Sequence, residues 1–96
     1  MEPIKVVEDA LTLASARLAK IPNFTLYQSI HAQLTYLLSV LNGTESNRSR
    51  LKEINFGVYA AKEFDASDPE FAKALSLAFW VATQLSKGLK VESVLV

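Results

Sequence analysis

The chain has 96 residues, with 10 basic and 10 acidic side chains, one histidine and no cysteine. This length predicts a single small domain, residues 1–96, with one hydrophobic core and no room for a deep substrate cleft beside it. Proteins that bind nucleic acids or membrane surfaces normally carry an excess of Lys and Arg, so the zero net charge argues against both kinds of partner. The absence of cysteine excludes disulfides and thiolate zinc sites and favours a cytoplasmic location. Neither a membrane span nor a signal peptide is predicted.

The first predicted helix covers Pro3–Lys20. Between Ile4 and Leu18 the apolar residues recur in alternating steps of three and four, which is the spacing of one helical face. Pro3 suits the first helical position, where a missing N–H costs nothing, and Pro22 ends the helix because it disfavours α geometry in the preceding residue.

The second predicted helix covers residues 24–41. Its apolar face consists of Tyr27, Ile30, Leu34, Leu37 and Leu41. Asn42 and Gly43 follow, and both tolerate the left-handed backbone that often ends a helix. The polar residues 42–49 then predict a loop.

The third predicted helix covers residues 48–64. Its predicted buried stripe is Leu51, Ile54, Val58 and Ala61. Gly57 lies beside the stripe. Because a glycine inside a helix costs about 1 kcal/mol relative to alanine, Gly57 indicates a close approach to a neighbouring helix.

The fourth predicted helix covers residues 69–87. Asp68 is expected to cap it, with Pro69 in the first position and Glu70 near the positive end of the helix dipole. Its predicted buried stripe is Phe71, Leu75, Ala78, Ala82 and Leu85. Residues 89–96 are apolar and β-branched, and either lie across the helices as a short extended tail or remain undocked. The predicted fold is all-α, a small antiparallel four-helix bundle with a short C-terminal tail.

The sequence carries little catalytic chemistry. His31 is the one histidine, and we expect it at the rim of the buried face of helix two without a catalytic task. No carboxylates accompany it at metal-ligand spacing, no serine lies in a nucleophile turn, and three scattered glycines cannot form a phosphate-binding loop. We therefore predict no enzymatic activity, no metal and no cofactor.

Several aromatic residues are misplaced for a plain monomer. On a helical wheel, Trp80 falls opposite the buried stripe of helix four. It either contacts a partner protein or belongs to a central helix that is buried on most sides. Phe56, Tyr59 and Glu63 share the face of helix three that points away from its stripe, and they form either a second packing face or a docking face.

Four acidic residues lie within eight positions in the turn between helices three and four. They are Glu63, Asp65, Asp68 and Glu70. Capping explains Asp68 and Glu70, whereas Glu63 and Asp65 lie at the C-terminal end of helix three, where the helix dipole disfavours negative charge. An acidic turn beside an aromatic face is suited to a basic cleft on another protein.

The second half of the chain also contains a recognisable pattern. Residues 51–70 read Leu-x-x-Ile-x-x-Gly-x-x-Ala-x-x-Glu-Phe-x-x-x-Asp-Pro-Glu, and residues 88–91 read Gly-Leu-Lys-Val. This pattern, the length and the helix order resemble the small helical immunity proteins that protect bacteria from their own type VI secretion effectors of the NAD(P) glycohydrolase kind. The likeness covers nearly the whole chain and is most specific in the second half.

The resemblance implies a cytoplasmic antitoxin without catalytic activity that binds the toxin domain of its cognate effector one-to-one and covers the active-site cleft. A cleft that hydrolyses a dinucleotide must attract phosphates, so we expect it to be basic. From wheel position and charge, and not from the resemblance, we select as candidate toxin-binding residues Phe56, Tyr59, Glu63, Asp65, Asp68, Glu70 and Trp80.

Two other functions fit the same residues. In a homodimer, the Trp80 face and the Phe56 and Tyr59 face would bury each other. In an adaptor protein, the neutral face around Ser29, Ala32 and Ser39 of helix two would bind a peptide or a helix in a groove.

Overall fold

The computed structural model describes residues 2–87, and for residues 59–61 it describes the backbone alone. The described part contains four α-helices and no strand, which confirms the all-α prediction. In chain order the elements are α1 (Pro3–Lys20), α2 (Thr25–Leu41), a 3-10 helix (Ser49–Glu53), α3 (Phe56–Tyr59), a π-helical turn (Ala60–Phe64) and α4 (Pro69–Ser86).

The helix α1 has the predicted bounds and lies between α2 and α4. Only four residues connect α1 to α2, so these two helices are antiparallel neighbours. Asp68, at the start of α4, contacts Arg17 near the end of α1, while Val6 and Leu77 line one groove further along the same two helices. The helix α4 therefore also runs antiparallel to α1, as the bundle prediction requires.

The side chains of α1 reflect this central position. Val7, Ala10 and Ala14 are fully buried, and the small alanines allow both neighbouring helices to approach. Ile4 was expected in the buried stripe, but it is 38% exposed at the end of the helix.

The helix α2 starts one residue later than predicted and buries the predicted face. Ile30, Leu34 and Leu37 are completely inaccessible. After the helix, Gly43 adopts a positive φ of 84°, which is the left-handed geometry expected for the Asn42–Gly43 pair.

The predicted continuous helix over residues 48–64 is wrong. Ile54 has an extended backbone (φ −68°, ψ 125°) and separates the 3-10 helix from α3. The break has a tertiary cause: the N–H of Asn55 donates to Oε1 of Gln33 on α2 (2.9 Å), and the Gln33 Nε2 donates back to Asn55 Oδ1 (3.0 Å). A side chain of α2 thus satisfies a backbone donor that a continuous helix would have bonded internally.

The break changes the buried face of the residues that follow it, whereas the stripe residues Leu51 and Ile54 are buried as predicted. Phe56 is fully buried and packs edge-on against Phe79 of α4, with ring centroids 6.0 Å apart, whereas Val58 is 48% exposed. A helical wheel that continues through Ile54 assigns the wrong faces to the residues after it, because the rotation of 100° per residue holds only within one helix. The side chain of Ala61, also placed in the stripe, lies outside the described residues.

Gly57 marks the close approach that its position predicts. A methyl group at this residue would overlap the ring of Phe79, so α3 contacts α4 at a distance that only glycine permits.

The helix α4 confirms its predicted start and its buried stripe. All five stripe residues are buried, and Ala72 and Val81 widen the buried face. The helix ends at Ser86, with Lys87 as the C-cap. Gly88 and the predicted tail, residues 89–96, lie outside the described residues.

Candidate protein-binding site at the junction of α1 and α4

An ion pair joins the end of α1 to the start of α4. The Nε and Nη2 atoms of Arg17 donate to the two carboxylate oxygens of Asp68 at 2.9 and 3.0 Å, in the bidentate geometry that guanidinium groups favour. Asp68 also caps α4 as predicted, because its Oδ1 accepts from the N–H of Phe71 (3.4 Å). Both side chains are 23% exposed, so the pair is largely shielded from solvent.

The pairing changes the ionisation of both groups. Hydrogen bonding from Arg17 lowers the pKa of Asp68 below its ordinary value, and this effect exceeds the opposing effect of partial burial. The hydrogen bond to Asp68 likewise raises the pKa of Arg17. Asp68 therefore remains a carboxylate to lower pH than an isolated aspartate.

An aromatic cluster lies against the Arg17 side of this ion pair. The guanidinium carbon of Arg17 lies 5.4 Å from the centroid of the Phe71 ring. Phe64, the last residue of the π-helical turn, packs against Phe71 (5.0 Å between centroids) and stacks on Tyr27 of α2 (5.9 Å). These contacts anchor the end of the π-helical turn and so fix the start of the acidic loop that follows it.

The four acidic residues of the turn have different environments. Glu63 and Asp65 are exposed, as expected for residues that contact a partner. Glu70 is 74% exposed and lies 3.4 Å from the Arg17 guanidinium. Asp68 is instead held in the ion pair and in the predicted cap, and its role as a toxin contact stays a prediction.

Two nearby cations partly neutralise the negative charge of the turn. Arg17 contacts two of the four carboxylates, and the charge of Lys20 is near enough to lower the pKa of Asp68 further. Arg17 was not predicted as part of this site, because it lies 51 residues from Asp68 in the chain. The one signal available was a cation in the last turn of helix one, which is common at helix C-termini and names no partner.

The three aromatic candidates also differ in their position in the fold. Trp80 is 40% exposed on the outer side of α4, where the wheel placed it, and Lys73 and Ser76 on the same side are exposed too. Phe56 is a core residue, so its predicted role as an exposed anchor is corrected in favour of the second packing face. The side chain of Tyr59 lies outside the described residues.

A groove lies between α2 and the 3-10 helix, on the face suggested for an adaptor. Its volume is about 210 Å³, and its lining residues are Ser29, Ala32, Gln33, Tyr36, Arg50, Glu53 and Ile54. Ser29 and Ala32 belong to the predicted surface. Ser39 does not line the groove, and its hydroxyl donates to the backbone oxygen of Tyr36 (2.6 Å).

Within residues 2–87, no group of three or more His, Asp or Glu side chains is placed to hold a metal ion. His31 is half-buried on α2, at the rim of the buried face. Among the described helices none is long and apolar enough to cross a membrane. The chemistry that this surface offers is carboxylates, cations and exposed apolar side chains.

Comparison with known proteins places the chain in a family. The family model of Tsi6 matches residues 2–84. The chain is 40% identical over 92 residues to the Immune protein Tsi6 of Pseudomonas aeruginosa strain PAO1, a match that covers 96% of this chain and 98% of that protein.

Solved structures agree with this match. A chain in the structure of Tse6 in complex with Tsi6 aligns with a TM-score of 0.88 at 40% identity, covering 97% of this chain and 99% of that one. A structure of Tsi6 from Pseudomonas aeruginosa aligns with a TM-score of 0.80 at 40% identity, covering 85% of this chain and 95% of that one. This chain therefore belongs to the Tsi6 family of type VI secretion immunity proteins.

Proposed function

We propose that this chain is an immunity protein that binds the toxin domain of a cognate effector one-to-one and covers its active-site cleft. The observation that carries the proposal is the alignment of nearly the whole chain, with a TM-score of 0.88, to a chain in the complex of Tse6 with Tsi6. The chain acts by occlusion in the cytoplasm and contributes no catalytic group of its own.

The proposed toxin is an NAD(P) glycohydrolase, as the sequence resemblance implies. A cleft that binds the phosphates of a dinucleotide is basic, and exposed carboxylates on a partner complement it. Glu63 and Asp65 are exposed for this role, and Glu70 keeps most of its surface accessible. Trp80 supplies a large apolar side chain, of the type that often dominates a binding interface, and Tyr59 remains a proposed contact.

Co-expression with the toxin tests this function. The chain is expressed in cells that lack any other antidote, together with the toxin domain encoded beside its gene, and growth, cellular NAD and cellular ATP are measured. Rescue of growth with restored NAD is the expected result. Rescue that restores ATP alone would keep the immunity function and overturn the glycohydrolase assignment. Cell death despite soluble, folded protein would overturn the immunity function for this pair.

A second candidate function is self-association, favoured by the exposed apolar side chains of Val58 and Trp80. Large apolar groups at the surface often mark a contact with another protein, including a second copy of the same chain. Light scattering of the purified chain tests self-association, because a homodimer has twice the molar mass of the monomer.

A further inference from the structure

We propose that the groove between α2 and the 3-10 helix is a second contact site for the toxin domain, and that it receives the tip of an exposed loop bound through its main-chain groups. This inference rests on the proposed function and adds to it a surface and a mode of binding. The surface involves none of the residues at the junction of α1 and α4.

The walls of the groove are held in place by internal hydrogen bonds. The hydroxyl of Tyr36 donates to the backbone oxygen of Asn47 (2.7 Å). The Nε2 of Gln33 donates to Ser29 Oγ and to Asn55 Oδ1, each at 3.0 Å, while its Oε1 accepts from the N–H of Asn55. Because these side chains are ordered before a partner arrives, binding costs little additional conformational entropy.

The groove also presents two opposite charges. The guanidinium carbon of Arg50 lies 5.2 Å from the centroid of the Tyr36 ring, so the cation is positioned over an aromatic wall. Glu53 follows three residues later, and in a 3-10 helix residues three apart lie on the same side. Neither side chain forms an ion pair within 4.0 Å among the described residues. Donors on Arg50 and acceptors on Glu53 are thus available to a ligand.

A protein loop matches this arrangement. Every peptide unit offers a C=O acceptor for Arg50 and an N–H donor for Glu53, while Ala32 and Ile54 supply apolar contact for a small side chain. A helix bonds its C=O and N–H groups internally, whereas the tip of a loop leaves them free to pair with Arg50 and Glu53. Arg and Tyr are also the types of residue that dominate protein interfaces.

Filling the groove is the sharpest test. Ala32 is exposed and lines the groove, so Ala32→Leu narrows it without disturbing the core. Thr35→Leu is the matched control, because Thr35 is an exposed residue of α2 that does not line the groove. With the purified toxin domain encoded beside this gene as the probe, calorimetry is expected to show at least a tenfold loss of affinity for Ala32→Leu and no change for Thr35→Leu.

Charge variants test the binding mode. Arg50→Ala is expected to weaken toxin binding about tenfold, while Arg48→Ala, an exposed arginine outside the groove, leaves it unchanged. The toxin affinity of Arg50→Lys is expected to lie between those of Arg50→Ala and Arg48→Ala, since lysine keeps the charge but lacks the planar guanidinium group. Thermal melting confirms that each variant is folded, and Ala32→Gln replaces Ala32→Leu if the latter does not fold.

The outcomes separate the two proposals. If the wild-type chain neither binds nor protects against the toxin, the proposed function fails. If the wild type binds and Ala32→Leu binds equally well, the groove proposal alone is overturned. A change in the molar mass of free Ala32→Leu also overturns it, because the occupant would then be a second copy of this chain.

Discussion

Asp68 joins two helices because its carboxylate caps α4 and also binds Arg17 of α1. The cap was predictable, since Asp-Pro-Glu is a local signal that depends only on neighbouring residues. The ion pair was not, because no local pattern relates residues 51 positions apart. The same limit applies to Gln33 and Asn55, whose contact breaks the third predicted helix.

The Asp68→Asn substitution isolates the ion pair, because asparagine caps helices as well as aspartate does. We expect it to lower the free energy of unfolding by about 1.5 kcal/mol at pH 7, the scale of a hydrogen bond to a charged group. Pairing lowers the folded-state pKa of Asp68 below its unfolded value of about 4. The stabilisation is therefore complete above that value and is lost as pH falls through the folded-state pKa.

Urea unfolding of the wild type and Asp68→Asn at pH 7 and at pH 3 measures this effect. The difference between the two proteins is expected to shrink at the lower pH. Asp65→Asn serves as the control in the same turn, since Asp65 is exposed. A difference that is equal at both pH values would contradict the assigned role of the ion pair.

At the scale of the element, the three long helices follow from sequence and the third segment does not. Regular apolar spacing and terminal Pro or Asp residues set the bounds of α1, α2 and α4 within one residue of the structure. Between residues 49 and 64 the helical type changes twice, with an extended break at Ile54 that contains neither Gly nor Pro. A rule based on local propensity cannot locate a break that a side chain from another helix imposes.

Truncation of Phe56 and of Val58 distinguishes the structure from the helical wheel. Phe56→Ala is expected to cost about 3–5 kcal/mol of unfolding free energy, because it leaves a cavity beside Phe79. Val58→Ala is expected to cost less than about 0.5 kcal/mol, since the side chain is nearly half exposed. Denaturant unfolding measures both, and the reverse order would support the continuous helix.

At the scale of the whole molecule, the bundle was predictable and its binding surface only in part. The helical wheel placed Trp80 correctly on the outer side of α4, because the rotation of 100° per residue holds within one uninterrupted helix. Phe56 was misplaced because the break at Ile54 lies between it and the stripe used as a reference. The net negative charge of the turn was overestimated, because the sequence does not reveal which cations fold against it.

Charge reversal tests the role of the acidic turn in toxin binding. The double substitution Glu63→Lys with Asp65→Lys is expected to weaken protection and to reduce toxin affinity at least tenfold while leaving the melting temperature nearly unchanged. The matched control is Glu2→Lys with Glu8→Lys, which makes the same change of net charge at two other exposed positions. Collapse of the fold in the first variant would show that the turn is structural.

Truncation of Trp80 separates an interface residue from a packing residue. Because the side chain is 40% exposed, Trp80→Ala is expected to cost at most about 2 kcal/mol of stability and to lower toxin affinity at least tenfold. Calorimetry and denaturant unfolding measure the two quantities, with Ser76→Ala on the same face of α4 as the control. A stability loss of about 3–5 kcal/mol with unchanged affinity would make Trp80 a packing residue.

The pairing of Arg17 with Asp68 also removes one carboxylate from the charges that attract a basic partner in solution. A closed ion pair has a weak field at a distance, and physiological salt screens exposed charges beyond about 8 Å. The exposed carboxylates of Glu63 and Asp65 are not closed in this way, so they supply the attraction toward a basic cleft that the zero net charge of the chain does not. The association rate with a basic partner is therefore expected to fall as ionic strength rises.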